Sequence, residues 1–162
     1  MIMAGTYLGL YLAGLLRQRV RDLESLCRGM DLLATEVGQG LVPLPQALRR
    51  AARGMTGPAA SILESTARRM DRGEGTVQQT WRAALEASQP QTALRDADLD
   101  ILRALGTVLG RSLSQDQVRH LELTRKRLEA SASAARQEAE RGEKLRVYLG
   151  ILGSVALVII FW

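Results

Sequence analysis

The feature that most constrains this chain is where its charge stops. All 22 Lys/Arg and all 17 Asp/Glu of the 162 residues lie between Arg17 and Arg146. Residues 1–16 and 147–162 carry no charged side chain. Two uncharged, apolar ends must be buried in protein or in lipid. The intervening segment is long enough to bury a core without staples.

Residues 1–16 (MIMAGTYLGLYLAGLL) are apolar throughout. As a helix they would span roughly 24 Å, a little short of a ~30 Å hydrocarbon core. Snorkelling of Arg17 covers that shortfall. A secretory signal peptide would carry its positive charge before the apolar run. Here Arg17, Arg19 and Arg21 follow the run and nothing basic precedes it. Residues 1–16 are therefore read as an uncleaved transmembrane helix.

Residues 145–162 (LRVYLGILGSVALVIIFW) read as a second transmembrane helix. Lys144 and Arg146 mark one interface, with Tyr148 nearby, and Phe161 and Trp162 fit the aromatic belt at the other. The rival is a buried C-terminal core helix, but a helix that is apolar all round fits lipid better. Both basic flanks face the middle. The positive-inside rule then places both termini outside the cell membrane and the middle in the cytoplasm, with membrane lipid as a partner. Gly5, Gly9 and Ala13 share a four-residue spacing, as do Gly150 and Ser154. That spacing permits close helix–helix approach, although glycine is frequent in such helices anyway.

The middle, residues 17–144, is rich in Ala, Leu, Arg, Glu and Gln, which are good helix formers, and shows no strand-like alternation. The fold class expected is all-α: a six-helix cytoplasmic bundle between two transmembrane helices. Helix 1 runs from near Arg17 to Val37 on the stripe Val20, Leu23, Cys27, Met30, Ala34 and Val37. Helix 2 starts around Pro43–Pro45 and ends by Gly54. Helix 3 carries Ile62, Leu63, Ala67 and Met70 and stops at Gly73 and Gly75.

A Thr76/Gln79 capping box opens helix 4, with Trp81 as a core anchor, and Pro90 breaks the chain. Helix 5 carries Leu99, Leu102, Leu105, Val108 and Leu109 to Gly110. A second box, Ser114/Gln117, opens helix 6, which runs toward Gly142, a place for a bend. Short loops make sequential helices neighbours. Helix 1 leaves the membrane and helix 6 returns to it. The loops at 38–42 and 110–114 should therefore share the membrane-distal end.

Little here can carry chemistry. Cys27 is the only cysteine and His120 the only histidine. A disulfide within the chain and a cysteine-rich zinc site are excluded, and no acid–base pair stands out. Cys27 reads as a buried structural thiol and His120 as a hydrogen-bonded structural side chain. Asp96, Asp98 and Asp100 alternate, which scatters them around a helix, and they read as a solvated acidic start to helix 5. No catalytic, metal or cofactor-binding residue is assigned, and the chain is not expected to be an enzyme.

Two basic clusters, Arg49, Arg50 and Arg53, then Arg68, Arg69 and Arg72, read first as solvated faces and second as a partner or lipid face. Nucleic acid is not expected, because these segments lack an aromatic that could stack on bases.

Several blocks together resemble the stage III sporulation protein AB family. They are residues 32–37 (LLATEV), 43–48 (PLPQAL), 100–106 (DILRALG), 109–112 (LGRS), 117–121 (QVRHL), 143–146 (EKLR) and 148–150 (YLG). The pattern differs at Gln39, Val42 and Leu113. The resemblance covers essentially the whole chain. It implies a subunit of the channel between mother cell and forespore, in the mother-cell membrane and needed for endospore formation. It also implies a cytoplasmic bundle like the F-type platform domains of type II secretion, docking a sporulation ATPase alongside other channel subunits. Gln39, Arg111, Gln115 and Asp116 at the distal end are candidate docking residues, and so are Arg49, Arg50, Arg53, Arg68 and Arg69 on the basic clusters. A homo-oligomer is left open. The alternatives are a platform subunit of a general type II secretion or type IV pilus system, usually a longer chain, and a membrane-bound enzyme with an unrecognised site.

Overall fold

The computed structural model describes the backbone of residues 2–39, 42–110 and 114–161, and the side chains of residues 11–39, 42–110 and 115–142. Among these residues the chain forms six α-helices and no strand. The helices are α1 (Ile2–Gly38), α2 (Leu44–Ala52), α3 (Pro58–Asp71), α4 (Val77–Ser88), α5 (Asp96–Gly106) and α6 (Ser114–Phe161). A short 3-10 turn, Gln89–Gln91, links α4 to α5 and holds Pro90.

The two long helices form the frame, and α1 and α6 share the largest interface in the molecule. They run antiparallel. Asp31 pairs with Arg125 at 3.0 Å. At one end Arg19 lies 3.9 Å from Glu138. At the other, a Cβ built on Gly38 would meet Val118 at 3.4 Å. Leu23, Leu26, Met30, Leu33 and Val37 are buried along α1, and Leu121, Leu128, Ala132 and Ala135 along α6. These positions recur at three and four residues, the 3.5-residue period of a coiled-coil seam. Each buried leucine contributes roughly 1.5–3 kcal/mol relative to exposure.

The seam lies slightly to one side of the stripe read from the sequence. Leu26 and Leu33 are central, whereas Val20, Cys27 and Ala34 pack at its margin. Cys27 is half-buried, its Sγ 3.9 Å from the Arg125 carbonyl oxygen. Burial, with a smaller push from Glu129, raises this thiol's pKa to about 11, so it stays protonated and unreactive at neutral pH.

Three of the short helices pack against this frame, α2 and α3 on α1 and α5 on α6, and α4 packs between α3 and α5. Their ends follow local chemistry. α3 ends in a Schellman arrangement: the Glu74 N–H bonds the Arg69 carbonyl at 3.0 Å, and Gly73 supplies the left-handed residue at φ +68°. The expected box at α4 is present. Thr76 Oγ1 accepts from the Gln79 N–H at 3.3 Å, and Gln79 Oε1 accepts from the Thr76 N–H at 2.9 Å.

Trp81 is buried between α4 and α5 and donates its indole N–H to the Leu102 carbonyl at 2.8 Å. Gly106 makes that approach possible, since a Cβ there would lie 2.5 Å from the indole.

Three expectations on helix extent change. α1 and α6 are single helices through the predicted domain joins, and α6 continues through Gly142 without interruption. Backbone hydrogen bonding lets a helix pass from polar to apolar sequence without a break. α5 ends at Gly106 rather than Gly110; Thr107–Leu109 form a turn whose amides bond the Ala104 and Leu105 carbonyls. Among the described residues no helix is long and apolar enough to cross a membrane. The side chains of most of 1–16 and of all of 145–162 lie outside the described residues. So do Lys144, Arg146, the Gly5/Gly9 and Gly150/Ser154 spacings, Leu113 and the Ser114 half of the second capping box.

Candidate functional site

Polar contacts concentrate where α5 begins against α1 and α6. Arg19 is 7% exposed and Asp98 is 0% exposed. Arg19 Nε donates to Asp98 Oδ2 at 2.9 Å and Nη2 donates to Oδ1 at 3.0 Å, a bidentate pair. Asp98 Oδ2 also accepts the Arg95 N–H at 3.0 Å, and the nearby Ser131 of α6 favours the carboxylate as well. Burial alone would raise the Asp98 pKa. The bonds from Arg19 and Arg95, with the help of Ser131, outweigh it and hold the carboxyl below its usual range. Asp98 thereby ties the start of α5 to α1.

A second, exposed layer covers the first. Arg95 Nη1 and Nη2 donate to the Glu138 carboxylate at 3.1 and 2.7 Å. The linker before α5 is held by backbone groups: the Ala93 N–H donates to Asp22 Oδ2 at 2.8 Å, and Gln18 Nε2 donates to the Gln91 carbonyl at 3.4 Å. Asp22 differs from Asp98. Burial raises its pKa, and the Ala93 amide and the nearby Arg21 only partly offset that rise.

Two clefts flank the α1–α6 pair at this end. One, of about 440 Å³, has an apolar wall of Leu12, Leu15, Leu16 and Leu94 with Arg19, Arg95 and Glu138 on its rim. The other, of about 300 Å³, lies between α1 and α6 and is lined by Arg17, Val20, Arg21, Arg136, Ala139 and Glu140.

The expected site residues divide as follows. Arg17 and Arg21 are exposed. Arg19 is not: it points into the bundle, because Asp98 offers it a bidentate partner there. Nor is Asp98 solvated. Asp96 is exposed, and Asp100 pairs with Arg103 at 2.7 Å. Much of the charge of the basic clusters is taken up internally. Arg49 pairs with Asp71, Arg50 lies 3.6 Å from Glu36, and Arg69 and Arg72 lie 2.9 and 3.6 Å from Glu74. Arg53 and Arg68 are exposed.

At the opposite end of the frame, Gln39, Gln115 and Asp116 are exposed at the neighbouring termini of α1 and α6. Arg111 lies outside the described residues. His120 is half-buried and makes no side-chain hydrogen bond with a described residue, unlike the expectation. Among the described residues no three His, Cys, Asp or Glu side chains are grouped to hold a metal ion.

The junction had a signal in the sequence that went unread. Arg19 continues the seam spacing backwards from Leu23 and Leu26, and Asp98 precedes Leu102 and Leu105 in the same way. A charge in a core register requires a buried partner. Pairing the two across 79 positions needs the fold.

Comparison with known proteins gives a consistent result. A family model described as stage III sporulation protein AB matches residues 1–162. The Bacillus subtilis (strain 168) protein of that description is 24% identical over 159 residues, which is 98% of this chain and 93% of the relative. A solved structure of stage III sporulation protein AB aligns with a TM-score of 0.70 at 24% identity, over 76% of this chain and 97% of that one. That likeness shows a shared fold.

Proposed function

The chain belongs to the stage III sporulation protein AB family, and on that premise we propose that it is a non-catalytic membrane subunit of the sporulation channel that docks a cytosolic, secretion-type ATPase. Family membership supports the sporulation role. The observation that supports a platform role is the frame itself. α1 and α6 run antiparallel and unbroken from the bundle into the two apolar ends, so both ends leave the bundle on the Arg19 side. In this reading the ends span the mother-cell membrane with both termini extracytoplasmic, and the bundle is a cytoplasmic counterpart of the F-type platform domains. Other channel subunits are its remaining partners.

The Gly38 end is then membrane-distal, and the exposed Gln39, Gln115 and Asp116 there face the cytosol. An ATPase engaging this end would push on two rigid helices rather than on a loop, and the force would reach the apolar ends without crossing a joint. Co-purification of the full chain with the ATPase tests the proposal. Charge reversal at Arg111 and Asp116 should reduce the ATPase recovered. Undiminished recovery would place the dock elsewhere, and no recovery from the wild type would refute docking.

A further inference from the structure

We infer that the cleft between α1 and the linker before α5, walled by Leu12, Leu15, Leu16 and Leu94, lies at the membrane surface and holds an acyl chain of a phospholipid of the cytoplasmic leaflet. The inference rests on the membrane reading above and adds to it a contact between the bundle itself and lipid. The wall is apolar, and its volume of about 440 Å³ falls within the ~300–1,000 Å³ usual for a small-ligand site. No charge on the rim is left over for a headgroup, since Arg19 is held by Asp98 and Arg95 by Glu138. What enters is therefore selected by apolar area. Leu94 is fixed in place. The linker that carries it is tied to α1 by the Ala93 N–H on Asp22 and by the Gln18 side chain on the Gln91 carbonyl.

What covers the wall follows from the level at which it lies. Tyr11, Leu12 and Leu15 are 59%, 51% and 38% exposed, while the other exposed large hydrophobics among the described residues, Leu32 and Leu123, stand singly. Isolated exposed leucines are ordinary, whereas a cluster marks a contact surface. In sequence the cluster continues into residues 1–10, which carry no charged side chain. α6 differs at the same level. Arg19 meets Glu138 and the helices are antiparallel, so Arg141, farther along α6, is level with about Leu16 of α1. Arg141 is exposed, and the charge of α6 runs on to Arg146. An apolar face on one helix and charge on the other, at one depth, fits the boundary between headgroups and acyl chains. The hydrocarbon core would strip those charges of water, and water would leave the leucine cluster uncovered. At the boundary the basic side chains snorkel outward and the leucines meet acyl chains.

Site-directed spin labelling of the full chain in phosphatidylcholine vesicles tests this, in a Cys27→Ala background so that a single label is attached. Nitroxides at Leu94→Cys and, with Leu94 kept, at Ala93→Cys report collisions with oxygen, which concentrates among acyl chains, and with a water-soluble nickel chelate. At one linker site at least, the oxygen-to-nickel ratio should be about fivefold or more that of Leu123→Cys on the exposed face of α6, as residence roughly 5–10 Å into the boundary implies. The same result is expected in phosphatidylglycerol vesicles, because the rim carries no spare charge. Ratios at both linker sites equal to that at residue 123 overturn the inference. Shielding from both reagents also overturns it, because protein would then fill the cleft. So does a high ratio confined to phosphatidylglycerol, which would mean a headgroup site. A label at Leu8→Cys separates this inference from the reading it rests on. Lipid exposure there with aqueous linker sites removes the lipid cleft alone; an aqueous residue 8 removes the membrane reading and the cleft together.

Discussion

The start of α5 and its middle hold the same helix to the molecule by opposite means. At the start, Asp98 is buried as a charge and satisfied by Arg19 and the Arg95 amide. In the middle, Leu102 and Gly106 receive Trp81, an apolar contact with one hydrogen bond. The apolar contact tolerates small shifts and gains free energy from area. The ion pair has a fixed geometry and is costly when incomplete. Placing the rigid, specific contact where α1 and α6 continue toward the apolar ends fixes the angle of the bundle on its two-helix frame. The tolerant contact lies farther out, where only cohesion is required.

The strongest way to break this contrast is Asp98→Ala. It removes the bidentate partner of the buried Arg19, leaving only Glu138 at 3.9 Å, and should destabilise the full chain by about 3–5 kcal/mol in urea unfolding. Arg19→Met/Asp98→Leu, which removes both charges, should recover most of that loss. A double variant as unstable as the single would mean that the pair supplies net stability instead of orientation. At the apolar contact, Gly106→Ala forces a methyl into the Trp81 ring and should cost about 1–3 kcal/mol by the same measurement.

A pH series sharpens the contrast within the junction. Asp98 has its folded pKa lowered, so its contribution is fully present above the unfolded value near 3.9 and is lost as pH falls through the folded value. Asp22 has its folded pKa raised, so its ionisation opposes folding as pH rises past the unfolded value. Asp22→Asn should therefore be neutral or stabilising at pH 7, and Asp98→Asn destabilising. The same sign for both variants would show that burial, not partnering, controls the junction. The smallest effect expected is at Arg82→Ala. It breaks an exposed pair with Glu86 and should change stability by less than about 0.5 kcal/mol.

How much was legible in the sequence follows the same division. Apolar spacing identified much of the core: Leu23, Met30, Val37, Ile62, Leu63, Leu102 and Leu105 are all buried. Turn chemistry marked Gly73 and the Thr76/Gln79 box, because these motifs close within a few residues. Leu26 and Leu33 were missed because Cys27 and Ala34, one position along, keep the same three- and four-residue spacing to Leu23, Met30 and Val37, so spacing alone does not say which flank of the stripe is buried.

The candidate site was less legible. Arg19 carried the right charge for a membrane flank, and nothing local distinguishes a flanking arginine from one that turns inward. Asp98 resembled its solvated neighbours Asp96 and Asp100. The basic clusters looked like free cationic faces because Asp71 and Glu36, which neutralise Arg49 and Arg50, lie on other helices. Long-range charge pairing has no period in the sequence, so neither the inward turn of Arg19 nor the burial of Asp98 is legible there.

The proposed platform role requires the two apolar ends to leave the bundle on one side and to span the membrane. The direct measurement is a compartment-sensitive reporter fused after Trp162 in the full chain. An extracytoplasmic signal is predicted. A cytoplasmic signal would contradict the account, because α6 could then not carry the bundle's motion across the membrane.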